Sequence, residues 1–219
     1  MGSVIFDFDS TLVPSESLEE VLARAGGLSD TEREEIREIT AAGMDGRLSF
    51  EDSLRMRLGI ASPSLAEVTA VAHELATSPS AGAPELVTAL HDAGHQVWIV
   101  SGGLREMLEA MGSALGIPRL RIHGVTAQWT PAGTLEAIAP DCGFAISKVE
   151  GLSRLGPAFA RPAIGVGDGA TDLALRTAGF VDKFVAYTEH ALRPSVVAGA
   201  DATAASMADL DEVLERLLT

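Results

Sequence analysis

Asp7 and Asp9 stand two residues apart in DFDST (residues 7–11), directly after the apolar run VIF. In extended chain, residues two apart share a face, so both carboxylates leave the strand end on one side, with Phe8 on the other. Two like charges this close raise one pKa and lower the other unless a cation sits between them. The pair suits one carboxylate as nucleophile and the other as acid/base, but an isolated pair of this kind also serves as a helix cap and solvated turn. Three further positions share the strand-end context. Ser101-Gly102-Gly103 follows QVWIV and precedes a helical pattern; its glycines let backbone approach a ligand, and the N–H groups of a helix start would cradle an anion. Alone, it is equally an ordinary strand-to-helix turn. Lys148 sits at a helix start, where the dipole disfavours a positive side chain. Asp168 and Asp172, in GDGATD, put two more carboxylates at a strand end. Carboxylates aimed where a phosphate must sit require a divalent cation, and Mg²⁺ accepts one or two of them with waters and a phosphate oxygen.

The elements that must position these residues form a pattern. VIFDF (4–8) is strand-like, whereas residues 14–80 carry apolar residues only at helical spacing, in LEEVLARA, REEIREIT, EDSLRMRL and LAEVTAVAHELA. Ser17 with Glu20, Ser29 with Glu32, Ser49 with Asp52 and Ser64 with Glu67 read as N-terminal capping pairs. After SPSAGAP the chain alternates: helix ELVTALHDAG, strand QVWIV, helix LREMLEAMGSAL, strand RIHGV, a hairpin near residues 128–135, a helix over 146–155, strand AIGV, helix ATDLALRTAG, strand KFVAY and helix MADLDEVLERLL. Alternation of this kind builds a parallel sheet. The fold class is α/β: a doubly wound Rossmann-like core (1–13 and 81–219) with a small helical bundle (14–80) inserted after its first strand. In such sheets ligands bind at the carboxyl ends of strands.

Gly165 to Ala170 formally fits the dinucleotide fingerprint G-x-G-x-x-G/A. It comes late in the chain, however, and would press Asp168 against a pyrophosphate with no cation. A net charge of -15, from 31 acidic and 16 basic side chains in 219 residues, argues against nucleic acid and anionic lipid surfaces as partners. The single cysteine, Cys142, and a start without a signal-like segment point to the cytoplasm. The longest apolar runs are strand-sized, far short of a membrane span.

Together and in this order, DFDST, SGG after a strand, a later lysine and GDGATD resemble the haloacid dehalogenase-like phosphatases, and the helical insert resembles the cap of their phosphoserine phosphatase branch. The resemblance covers the whole chain. It implies Asp7 as nucleophile, Asp9 as general acid and base, and Mg²⁺ held by Asp7, the Asp9 carbonyl, Asp168 and Asp172. It implies that Ser101, Gly102, Gly103, Lys148 and Thr171 bind the phosphoryl group. In the cap, it implies that Glu16 of VPSES holds a substrate ammonium, that Arg57 of SFEDSLRMRL holds a carboxylate, and that Met44 and Phe50 shield the site. The activity so implied is hydrolysis of phosphoserine by a monomer or homodimer. Phosphatases acting on phosphohomoserine or other small esters, phosphotransferases, and a non-catalytic phosphometabolite sensor are the alternatives.

Overall fold

The computed structural model describes residues 1–44 and 47–219, without the side chain of Met44. Six parallel strands form the sheet, in the order β3 (Ile122–Val125), β2 (Gln96–Leu104), β1 (Ser3–Phe6), β6 (Ala163–Gly167), β7 (Lys183–Tyr187) and β8 (Ala202–Ala204). β1 is central, with Val4 opposite Val97 on one side and Ile164 on the other. The runs SVIF and AIGVG are buried along their whole length because helices cover both faces. Each fully buried Val, Ile or Phe there contributes about 1.5–3 kcal/mol. The strand order reverses at β1, so the crevice for a ligand opens at the carboxyl ends of β1 and β6.

Among the described residues of 17–77, four helices form: α1 (Ser17–Arg24), α2 (Asp30–Met44), α3 (Phe50–Ala61) and α4 (Leu65–Thr77). Ser64 and Glu67 form a reciprocal capping box, Ser49 accepts from the Asp52 N–H, and Ser29 and Glu32 bond each other. The expected Ser17 cap is corrected: α1 begins after Glu16 with no side-chain cap bond, and the Ser17 N–H donates instead to Asp9 Oδ1 at 2.8 Å. A distant carboxylate has displaced the local one.

The core helices α5 (Ala83–Asp92), α6 (Arg105–Ala114), α7 (Lys148–Leu155), α8 (Ala170–Thr177) and α10 (Met207–Leu217) fall where the alternation places them. The hairpin is β4 (Ala127–Trp129) with β5 (Leu135–Ile138). Two short elements, α9 (Pro194–Gly199) and β8, are additional to the sequence reading. β2 also runs on through Gly102 and Gly103 to Leu104, with an irregular register after Val100, so α6 starts two residues beyond the glycines. The glycines expected to cradle an anion thus lie in the last part of a strand and not at a helix N-terminus.

Several contacts tie the helical insert to the core. α4 packs on α6, with Val68, Val71 and Ala72 in the same buried cluster as Leu108 and Met111, and the Leu65 N–H donates to Gly133 O in the hairpin turn at 2.8 Å. Where the insert leaves and rejoins the core, the Ser80 N–H donates to Leu12 O at 2.8 Å and its Oγ to Thr11 O at 2.7 Å. A smaller cluster, Leu22, Ala25, Ile36 and Ala61, joins α1, α2 and α3 to one another. Among the described residues, no helix is long and apolar enough to cross a membrane.

Candidate active site

Asp7 follows β1, its N–H donating to Val166 O of β6 at 2.8 Å, and its carboxylate is held by the Phe8 N–H at 2.6 Å. Lys148, the first residue of α7, brings its Nζ to 2.5 Å from Asp7 Oδ1 and also bonds Asp172 Oδ1. All three are buried. Burial alone would lower the lysine pKa; Asp172 and Asp7 overcome it, so the net shift is upward. The ammonium is therefore fixed as a charge and cannot serve as a proton donor near neutrality. Asp172 is pushed up to about 7, first by burial and then by Asp7, although Lys148 and the Gly169 N–H oppose the shift.

Asp9 also sits at about 7, raised by burial first, then by Glu16 and Asp7. A carboxyl poised near neutrality can both give and take a proton. Ser10, between these residues in sequence, takes the left-handed backbone region (φ 52°), and its Oγ donates to Glu16 Oε1 at 2.9 Å. That bond carries Glu16 from the chain entering α1 back toward the strand end. Burial, followed by Asp168 and Asp7, raises the Glu16 pKa.

On the other side of β1, Ser101 at the end of β2 is buried and its Oγ accepts from the Gly103 N–H at 3.0 Å. A Cβ at Gly102 would lie 2.8 Å from Phe50 Cζ, so the glycine is what lets a ring of the helical insert seat over the cradle. Thr171, at the start of α8, is exposed on the same rim.

Arg57 of α3 is buried and bonded: Nη1 donates to Glu19 Oε1 at 2.6 Å and to Thr40 Oγ1 at 3.4 Å, and Nε donates to Ser53 O at 3.2 Å. Burial lowers its pKa and Glu19 partly offsets this. The guanidinium thus has a protein partner, Glu19, that motif reasoning did not supply. A second residue absent from the sequence reading is Arg193, whose Nε donates to Asp168 Oδ2 at 2.9 Å. Its signal was its position, in the loop after β7 at the carboxyl edge of the sheet, where every strand end is a candidate.

One cavity of about 250 Å³ brings together Asp7, Asp9, Glu16, Arg57, Ser101, Gly102, Gly103, Phe50, Lys148, Asp168 and Thr171, with Glu19 and Arg193 also on its wall. Asp172 lies behind Lys148 and outside the lining. Met44 ends α2 and its side chain falls outside the described residues. Asp7, Asp168 and Asp172 each offer an oxygen within 4.8 Å of the others. This all-oxygen set of buried carboxylates fits a hard divalent cation. Burial first and Asp7 next push both Asp168 and Asp172 upward, against the lowering effect of Arg193 on Asp168 and of Lys148 on both.

A parallel sheet of this order, with helices inserted after its first strand and acidic groups converging at its switch point, places the protein in the α/β class with a buried acidic site at the carboxyl edge of the sheet. The haloacid dehalogenase-like hydrolase family matches residues 4–176, and the chain belongs to that family. The phosphoserine phosphatase of Halobacterium salinarum is 33% identical over 222 residues, covering 98% of each chain. Among solved structures, a phosphoserine phosphohydrolase-like protein from Francisella tularensis is similar at a TM-score of 0.88 and 35% identity, covering 98% of this chain and 100% of its own. A phosphoserine phosphatase solved as a phospho-aspartyl intermediate analogue is similar at a TM-score of 0.73 and 25% identity, covering 99% of this chain and 98% of its own.

Proposed function

We propose that the chain hydrolyses O-phospho-L-serine to serine and phosphate through an aspartyl-phosphate on Asp7. The observation that carries this reading is that one small cavity combines a buried Asp7–Lys148 pair at 2.5 Å with Glu16 and Arg57, an anion and a cation from the helical insert. A zwitterionic amino-acid head needs one group of each sign, and a planar guanidinium suits a carboxylate. The similarity to phosphoserine phosphatases supports the same substrate.

In this reading an oxygen of Asp7 attacks phosphorus while the bond to the serine oxygen breaks, and Asp9 passes its proton to that oxygen. Asp9, now ionised, takes a proton from the water that attacks the acyl phosphate, releasing phosphate and restoring Asp7. Lys148, Ser101, the Gly102 and Gly103 backbone and Thr171 bind the phosphoryl oxygens, since phosphoryl transfer is helped mainly by positioning and charge. Asp7, the Asp9 carbonyl, Asp168 and Asp172 would hold Mg²⁺, which neutralises charge on the phosphoryl oxygens. Residues 14–80 act as the cap, and their movement relative to the core opens and closes the site. The unpaired Cys142 thiol fits the cytoplasm, the location we assign.

Phosphate release from L-phosphoserine with and without Mg²⁺ tests the reading, beside phosphohomoserine and p-nitrophenyl phosphate. Arg57→Ala should raise KM for phosphoserine roughly 10- to 100-fold, the worth of a charged hydrogen bond, and leave p-nitrophenyl phosphate nearly unaffected. Equal rates on all three esters in the wild type would overturn the substrate assignment.

A further inference from the structure

Among the described residues lining the cavity, Arg193 is the one cation with no role in the scheme above. Pro194, the first residue of α9, restricts the residue before it to extended backbone, and Arg193 takes φ -115° and ψ 103° as the N-cap. Its carbonyl accepts from the Val196 and Val197 N–H groups at 3.0 and 3.1 Å. Upstream in the same loop, His190 Nε2 lies 2.9 Å from Ser80 Oγ. Both ends of the loop are therefore anchored, and the arginine leaves a fixed backbone position to reach Asp168 Oδ2 at 2.9 Å.

Other arginine pairs in the core brace loops. Arg176 and Arg161 bond Asp201 and Asp182, and those carboxylates also accept from the backbone N–H groups of Phe184 and Ala163. Asp168 differs, being 5% exposed and belonging to the converging acidic set. A carboxylate ligand uses one oxygen on the cation, and rotation about its Cβ–Cγ bond decides which one. The guanidinium, always protonated and planar, moves no proton but can fix that rotation.

We propose that Arg193 is a positioning residue of the metal site: by engaging Oδ2 of Asp168 it turns the other oxygen toward Asp7 and Asp172. The inference rests on reading those three aspartates as the cation site. Partners that orient metal ligands in this way typically cost 10- to 100-fold in metal affinity when removed.

The test is calorimetric titration of Mg²⁺ into the substrate-free full chain for wild type, Arg193→Gln and Arg193→Lys, each first shown folded by its thermal melt in EDTA. Arg193→Gln should weaken Mg²⁺ binding by roughly 10- to 100-fold, and Arg193→Lys, which keeps the charge without the planar fork, should fall between it and wild type. Unchanged binding in Arg193→Gln overturns the proposal. So does tighter binding, the result expected if the arginine were only a stand-in cation that the metal must expel. If Arg193→Gln does not fold, Arg193→Lys decides, and binding equal to wild type rejects the positioning role. A wild type that binds no Mg²⁺ removes the metal reading along with this inference, whereas normal wild-type binding beside an unaffected variant removes this inference alone.

Discussion

Mg²⁺ should stabilise the protein less in mild acid than near neutrality, and the size of the difference follows from Asp172. An ordinary aspartate ionises near 3.8, but burial and Asp7 hold Asp172 at about 7. Its raised value means that the metal-free fold keeps a proton there which the unfolded chain has already lost. This contribution to stability is full below 3.8 and is lost as the pH rises through about 7. A cation entering the site must expel that proton, at about 1.36 kcal/mol for each pH unit below the pKa. At roughly pH 5.5 that is about 2 kcal/mol for one proton. For a chain of this size about 1 kcal/mol moves Tm by roughly 2–4 °C, so the Mg²⁺-induced rise should be roughly 4–8 °C smaller at about pH 5.5 than at about pH 8. Differential scanning calorimetry with excess Mg²⁺ or EDTA at the two pH values measures it. Comparing with and without metal at each pH cancels groups outside the site. A metal-induced rise of equal size at both values would refute the reasoning, because ordinary carboxylates do not titrate in this window.

Gly102→Ala should displace the Phe50 ring, since the new methyl would lie 2.8 Å from Cζ; steady-state kinetics should show a KM raised several-fold, and an unchanged KM would mean the ring does not seat there in turnover. His123 is stacked between Trp98 and Phe144, and burial, followed by Arg105, pushes its pKa down to about 4 from 6.5. The fold therefore refuses a proton that the unfolded chain accepts, and stability should fall as pH drops from 6.5 toward about 4. Urea denaturation should show His123→Phe reducing that slope, and an unaltered slope would contradict the assignment. Val71→Ala should cost about 1–3 kcal/mol in global stability, because Val71 shares the main buried cluster with the strands of the sheet; loss confined to the helical insert, seen by hydrogen exchange, would show that the insert unfolds apart from the sheet.

The strands were legible because their β-branched runs are short, buried on both faces and bounded by polar strand ends. The helices of the insert were legible from their caps, as Ser64 with Glu67 illustrates. What escaped was either too short or too distant in sequence. ATA and PSVVAG, in β8 and α9, offer only small residues and less than two helical turns of pattern. Gly102 and Gly103 read as the approach to a helix start, yet β2 passes through them as an irregular stretch and pairs again at Leu104, opposite Val125. At the site, Asp7, Asp9 and Asp168 stand out because carboxylates at the ends of buried strands need a reason, and Lys148 because the dipole disfavours a cation at a helix start. Glu19 and Arg193 do not: each looks like a solvated surface charge until folding brings it, across 38 residues to Arg57 and 25 to Asp168, against a buried partner. Ser17 shows the same effect reversed, its local cap with Glu20 losing to Asp9.

The central claim is that Asp7 carries the phosphoryl group. Acid-quenched turnover of isotopically labelled phosphoserine, followed by peptide mapping, tests it directly. The account predicts label on the peptide holding Asp7, lost on treatment with hydroxylamine and absent in a folded Asp7→Asn protein. Label on another residue, or turnover that persists in Asp7→Asn, would contradict it.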